Sequence, residues 1–280
     1  MKSKMLYQDN KKDWIDQRDP ELISRLIPIW EWFYKFYFRV NSDGWQNVPQ
    51  QGQILFVGSH NGGLATPDLP MFMLDWFRRF GLERKVYGLT HSKVWQAYPA
   101  MANLAARVGA VPFYARNAQR VIDRGHSLLV YPGGGQDAFR PHHLRGKIHF
   151  CERTGFIRIA VWHGLPVVPL ISWGSHDTLY IIDDCYPMAK TFHQRGVPWL
   201  FNLDPEVMPL YAGLPWGLAI GPLPNIPFPS KIYTRVCKPI KFPKYGYEAS
   251  RDKYYIRQCY HHVVESMQSS LNSLRKEVNG

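Results

Sequence analysis

Short apolar runs alternate along this chain with longer stretches in which apolar residues recur every three or four positions. Residues 54–57 (ILFV), 85–89, 110–113, 127–131 and 166–172 have the length and content of buried strands. Between them, residues 69–80, 93–108, a stretch from about Asn117 and one around 154–162 carry the helical period. Arg78, Arg79 and Gly81 close the first of these helices, and Ser92 is placed to cap the second. The alternation predicts a single α/β domain over residues 54–280, with a mainly parallel central sheet flanked by helices. Residues 231–242 read as a late strand pair or extended segment. Residues 248–278 read as a long helix, its stripe of Tyr255, Cys259, Val263, Met267, Leu271 and Leu274 docked on the domain.

Two regions depart from that rhythm. Residues 1–20 read as a polar leader, and residues 21–53 as a helical segment that packs on the core or lies in a membrane interface. Pro28 should start or kink a helix there, since it has no amide to donate. Trp30, Trp32, Phe33, Tyr34, Phe36, Tyr37 and Phe38 supply more aromatic surface than one groove needs. In residues 177–230, prolines and glycines break every helical pattern, which leaves either a wandering cover or an apolar lip through Leu214, Pro215, Trp216 and Leu218.

Composition narrows the class. The 34 Lys and Arg against 22 Asp and Glu give a net charge of +12, which suits anionic partners. Ten Trp, 16 Tyr and 15 Phe suit a surface that meets hydrocarbon at its polar boundary. The basic residues form no nucleic-acid module, so no specific nucleic acid is expected. The four cysteines lack metal or disulfide spacing, and no metal is expected. Neither a signal-peptide core nor a run of transmembrane length is present, so the expected place is the cytoplasmic face of a membrane, peripheral or shallowly inserted.

The candidate chemistry gathers at strand ends. Residues 54–68 (ILFVGSHNGGLATPD) run from a buried strand into a polar loop holding His60, Asn61, Gly62, Gly63 and Asp68. Arg116 follows the strand at 110–113, and PGGGQDAFR at 132–140 holds Gly133, Gly134, Gly135, Asp137 and Arg140. His176 and Asp177 follow the strand at 166–172, where support of the site and loop fixing are equally open. No G-x-S-x-G elbow is present, which argues against serine-hydrolase chemistry.

SHNGGLATPD at 59–68, GAVPFYARNA at 109–118, YPGGGQDAFR at 131–140 and RTGFIRIAVWHGLPVVPLISWGSHDT at 153–178 resemble the glycerolipid acyltransferase family. The likeness is closest to its monoacylglycerol and diacylglycerol acyltransferase branch, and it covers most of residues 54–178 in family order. It implies the family's α/β fold and direct acyl transfer from acyl-CoA or acyl-carrier protein to a lipid alcohol, with no tightly bound cofactor. It assigns His60 as general base and Asp68 as its partner, and it gives Arg116 and Arg140 to phosphates of the acceptor or cofactor. Gly62, Gly63 and Gly133 to Gly135 are then oxyanion or loop-positioning residues, with Asn61, Asp137 and His176 in support. The expected partners are the lipid acceptor, an anionic membrane surface and, where it is the donor, the carrier protein.

Two departures matter. The position five residues after His60, an aspartate in the commonest family pattern, is Ala65, so the acid arrives late as Asp68. Gly133 and Gly134 replace the usual Glu-Gly after proline, which favours a neutral glyceride or other alcohol as acceptor. Two alternatives follow: a 1-acylglycerol-3-phosphate acyltransferase, and a noncatalytic lipid-binding membrane protein.

Overall fold

The computed structural model describes residues 13–90, 92–199 and 204–280, with the side chains of residues 92–94 left aside. Most of the polar leader, and the proposed Ser92 cap, therefore lie outside the described residues. The strands are β1 (Asn41–Asp43), β2 (Leu55–Gly58), β3 (Val86–Thr90), β4 (Ala110–Pro112), β5 (Ser127–Val130), β6 (Val167–Trp173), β7 (Tyr180–Asp184), β8 (Pro209–Gly213), β9 (Gly217–Ile220) and β10 (Tyr233–Val236). The helices are α1 (Pro20–Trp32), α2 (Asp68–Phe80), α3 (Ser92–Ala97), α4 (Pro99–Arg107), α5 (Ala115–Asp123), α6 (Gly134–Ala138), α7 (Gly155–His163), α8 (Tyr186–Gln194), α9 (Tyr247–Arg251) and α10 (Lys253–Asn279).

Seven strands form the central sheet in the order β1-β10-β6-β2-β5-β3-β4. The five from β6 to β4 are parallel, and β10 enters antiparallel to β6 with β1 parallel to β10, so the sheet is mixed at one edge. Both faces are covered, which explains why the strands read as continuous apolar runs. Leu55, Val57, Leu128 and Val130 point into the core under α5, α7 and α10, while Ile54, Phe56 and Leu129 point into the one under α1 and α2. The stripe on α10 is buried at Ile256, Cys259, Val263, Met267, Leu271 and Leu274.

Three expectations need correction. Pro28 does not start the helix but lies inside α1, whose start is Pro20 behind the Asp19 cap, and the chain then loosens into a π-helical turn at Phe33–Tyr37. The helix expected over 93–108 is two helices, broken before Pro99. Within residues 177–230, read as a wandering cover or an apolar lip with no regular structure, β7, β8 and β9 form a second, antiparallel sheet, with Tyr211 and Ala219 facing inward on Leu179 and Phe139. Among the described residues no helix is long and apolar enough to cross a membrane.

Candidate active site

The loops after β2, β5 and β6, three neighbouring parallel strands, meet at the carboxyl edge of the sheet, where open α/β sheets hold their ligands. The β2 loop carries His60. Its backbone N–H donates to the Asp137 carboxylate, and its C=O accepts from Arg140 Nη1 at 2.6 Å. Ser59 Oγ also donates to Asp137, at 3.1 Å. The loop after β2 is thus stapled to α6 and the turn behind it. The imidazole lies against the Tyr131 ring at 4.8 Å between centroids. Gly58 makes room for that ring, since a Cβ there would stand 2.4 Å from Tyr131.

Arg140 is buried and its five N–H donors are all committed. Nη1 meets His60 O, Asp137 O at 2.7 Å and Asp137 Oδ1 at 2.9 Å. Nη2 meets Asn61 Oδ1 at 2.6 Å and Arg145 O at 3.2 Å, and Nε meets Leu144 O at 3.3 Å. This corrects the expectation that Arg140 binds phosphate: the guanidinium has no donor left to offer. Arg116 is exposed at the start of α5, behind β4. Three strand spacings, on the order of 14 Å, separate β4 from β2, so the structure does not bring Arg116 to His60.

Asp68 opens α2, buried, and accepts from Asn61 Nδ2 at 2.9 Å and from Ser175 Oγ at 3.4 Å. Asn61 therefore links the Asp68 carboxylate to the Arg140 fork. No hydrogen bond joins His60 to Asp68. His60 Nδ1 and Asp68 Oδ1 are both buried without a partner among the described residues. Beside Asp68, between Ser59, Tyr131, Ser172 and Thr234, lies an internal cavity of about 10 Å³, the size of one water.

Burial first, and the Arg140 charge second, pull the His60 pKa from 6.5 to about 4, so the ring is neutral near pH 7. Burial pushes Asp68 up from 3.8 to about 6, against the pull of Asn61. If ionised Asp68 supports the imidazolium, the acid limb of kcat/KM will have its midpoint near pH 6, and in Asp68→Asn it will move toward pH 4, while an unmoved limb would remove Asp68 from the mechanism. The sign of the stability effect is separable. A raised carboxyl pKa costs stability above pH 6 and nothing below 3.8, so Asp68→Asn should resist denaturant better at pH 8, by roughly 3 kcal/mol, but not at pH 3.5.

The remaining predicted residues divide. Gly62 has φ +73°, and a Cβ there would lie 2.4 Å from Thr178 Oγ1. Gly133 is held for close approach, because a Cβ would meet His149 O at 2.3 Å. Gly63 and Gly134 spend their N–H groups on Ala138 O and Tyr131 O, so of the two expected roles, oxyanion donor or loop positioning, they fit the second. Gly135 sits in the first turn of α6. His176 is buried and touches the Arg140 carbonyl at 2.9 Å, so it backs the clamp and does not reach His60. Ser59, Tyr131, Ser175 and Asn225 were not singled out by sequence reasoning. Ser59 and Tyr131 sit beside legible motifs, whereas Asn225, which holds Gly62 O and the Ala65 N–H, comes from a stretch without a pattern. Among the described residues no three His, Cys, Asp or Glu side chains are grouped to hold a metal ion. A hollow of about 710 Å³, of mixed lining and open, lies at the opposite edge of the sheet between residues 46–53 and His163 to Pro166.

Comparison with known proteins places the chain in a family. The family model described as "Diacylglycerol acyltransferase" matches residues 71–270, beginning just after the His60 loop. An uncharacterized protein of Mycobacterium tuberculosis is 26% identical over 257 residues, covering 91% of this chain and 67% of its own length. 2-Acylglycerol O-acyltransferase 1 of Mus musculus is 24% identical over 226 residues, 76% of this chain and 63% of the mouse protein. The chain thus spans about two thirds of the length of these relatives. The solved 1-acyl-sn-glycerophosphate (LPA) acyltransferase, PlsC, from Thermotoga maritima is 18% identical with a TM-score of 0.48, over 91% of this chain and 84% of that one.

Proposed function

The chain belongs to the diacylglycerol acyltransferase family and is an acyltransferase of lipid alcohols, and from that premise we propose that His60 is the base that activates the acceptor hydroxyl. The observation that carries this reading is the neutral, otherwise unemployed imidazole fixed by its backbone at the carboxyl edge of the sheet. Because Nδ1 is the enclosed nitrogen, Nε2 is the one that faces an incoming substrate. It takes the hydroxyl proton as the oxygen attacks the thioester carbonyl. The new C–O bond forms, the C–S bond breaks, and the imidazolium returns the proton to the departing thiolate. Asp68, tied to the same loop through Asn61, offsets the transient positive charge. The co-substrate is a long-chain thioester of CoA or acyl-carrier protein, and the acceptor sits in a membrane that the basic, aromatic-rich chain attaches to.

For the acceptor, the sequestered Arg140 favours a neutral glycerolipid hydroxyl, since the guanidinium at the His60 loop has no donor left for a phosphate. A second reading, 1-acylglycerol-3-phosphate, is favoured by exposed Arg116 on the same edge. The purified chain, given acyl-CoA or acyl-carrier protein with monoacylglycerol, diacylglycerol, phytol and lysophosphatidate in liposomes, separates them by mass spectrometry of the products. Ester formed only on lysophosphatidate would overturn the neutral-acceptor reading, and no ester on any acceptor would overturn the enzyme assignment for this chain.

A further inference from the structure

The second sheet and its turn expose a run of apolar side chains. Residues 207–230 carry no charged side chain. On β9, Leu218 is 70% exposed and Ile220 51%, two residues apart on one outward face, while Ala219 between them faces inward. The β8–β9 turn adds Leu214 and Trp216, with the indole Nε1 donating to Pro224 O at 2.7 Å, and Ile226 is bridged to Leu214. Monomeric soluble proteins rarely leave such a patch unoccupied.

We propose that the β8–β9 hairpin is the element by which this chain enters an anionic lipid bilayer, turn first, so that the acceptor is drawn directly to the His60 loop. The inference rests on the lipid acyl-transfer reading and adds to it the surface that docks. Three observations select a bilayer over other occupants. First, the patch is tied to the site: Asn225 holds both Gly62 O and the Ala65 N–H, so lipid around the hairpin lies next to the loop that must receive it. Second, the rim bears the complementary charge. Tyr37 binds Pro227 O at 2.8 Å, which brings the turn after α1 against the same segment. That turn exposes Trp32 and Phe36 with Lys35 and Arg39, and Lys231 closes the segment on the other side. None of these three cations has a carboxylate partner among the described residues, as expected of groups that meet lipid phosphates. Third, the polarity runs the right way. Asp183 pairs with Leu210, which pairs with Ile220, so the acid lies at the end of the sheet away from the turn.

The test is vesicle flotation of the full chain on phosphatidylcholine with and without phosphatidylglycerol. The parent should float with the anionic vesicles and release at high salt. Trp216→Glu/Leu218→Glu should lower the partition coefficient by about tenfold or more, and Tyr254→Glu, on an exposed residue at the start of α10, should not change it. Transfer to a vesicle-embedded acceptor should fall with binding, whereas transfer between a short-chain thioester and a monomeric alcohol in solution should stay within twofold. Flotation of the double variant like the parent would overturn the proposal. So would a parent dimer in sedimentation that the variant dissociates without a change in flotation, which would make the β9 edge a self-association surface. Absence of transfer on both substrates with the flotation difference intact would instead count against the acyl-transfer reading alone.

Discussion

His60→Ala will fold and will lose acyl transfer by about 10³-fold, within the range expected when a positioned general base is removed. The two halves of this expectation come from different atoms of the same residue. The loop is held through the His60 backbone, whose N–H and C=O are gripped by Asp137 and Arg140, and alanine keeps both groups. The imidazole itself makes no hydrogen bond among the described residues, its Nδ1 being enclosed and unpaired, so its removal costs packing, including the ring contact with Tyr131, and no hydrogen bond. Circular dichroism and Tm should therefore match the parent to within a few degrees, while product formation on the best acceptor collapses. Partial recovery on adding imidazole would identify the missing group as a proton acceptor. Parent-like turnover in the folded variant would end the base assignment and revive the noncatalytic lipid-binding reading that the displaced acid first suggested.

What could be read in the sequence and what could not follows from the reach of each signal. The run at residues 54–57 and its counterparts announced parallel strands because both faces of the sheet are covered, so every position had to be apolar. The antiparallel entry of β10 was invisible, because direction depends on how the chain returns across the molecule and not on local composition. The second sheet was missed for a different reason: in residues 209–220 apolar residues occupy both faces of the strands, and the alternation that would mark them is absent. α6 was hidden in the glycine run, where propensity speaks against a helix and the hydrogen bonds of Asp137 and Phe139 impose one. At the site, residue types and their order brought His60, Asn61, Asp137 and Arg140 onto one page. The role of Arg140 was misread, because a phosphate-binding guanidinium and a buried clamp look alike until the acceptors around it are counted.

That count gives the second large effect, on stability. Arg140→Met will lower the unfolding free energy by about 3–5 kcal/mol, the usual result of removing one partner of a buried ion pair. Asp137 has no exposed surface, and without the guanidinium its carboxylate keeps only Ser59 and the His60 N–H. The carbonyls of His60, Asp137 and Arg145 and the Asn61 side chain would lose their donor together. Such a loss should appear as a fall in Tm of roughly 10–15 °C. Arg140→Lys keeps the charge but replaces five donors in a plane by three at a point, so it should recover only part of the loss. The kinetics distinguish the clamp from the phosphate-binding role. A clamp that positions His60 lowers kcat on neutral and phosphorylated acceptors alike and leaves KM nearly constant. A phosphate ligand would raise KM for the phosphorylated substrate and leave Tm where it was. Unchanged Tm in Arg140→Met with a selectively raised KM would return Arg140 to the substrate, and the hydrogen bonds that now join three loops at the sheet edge would need another explanation.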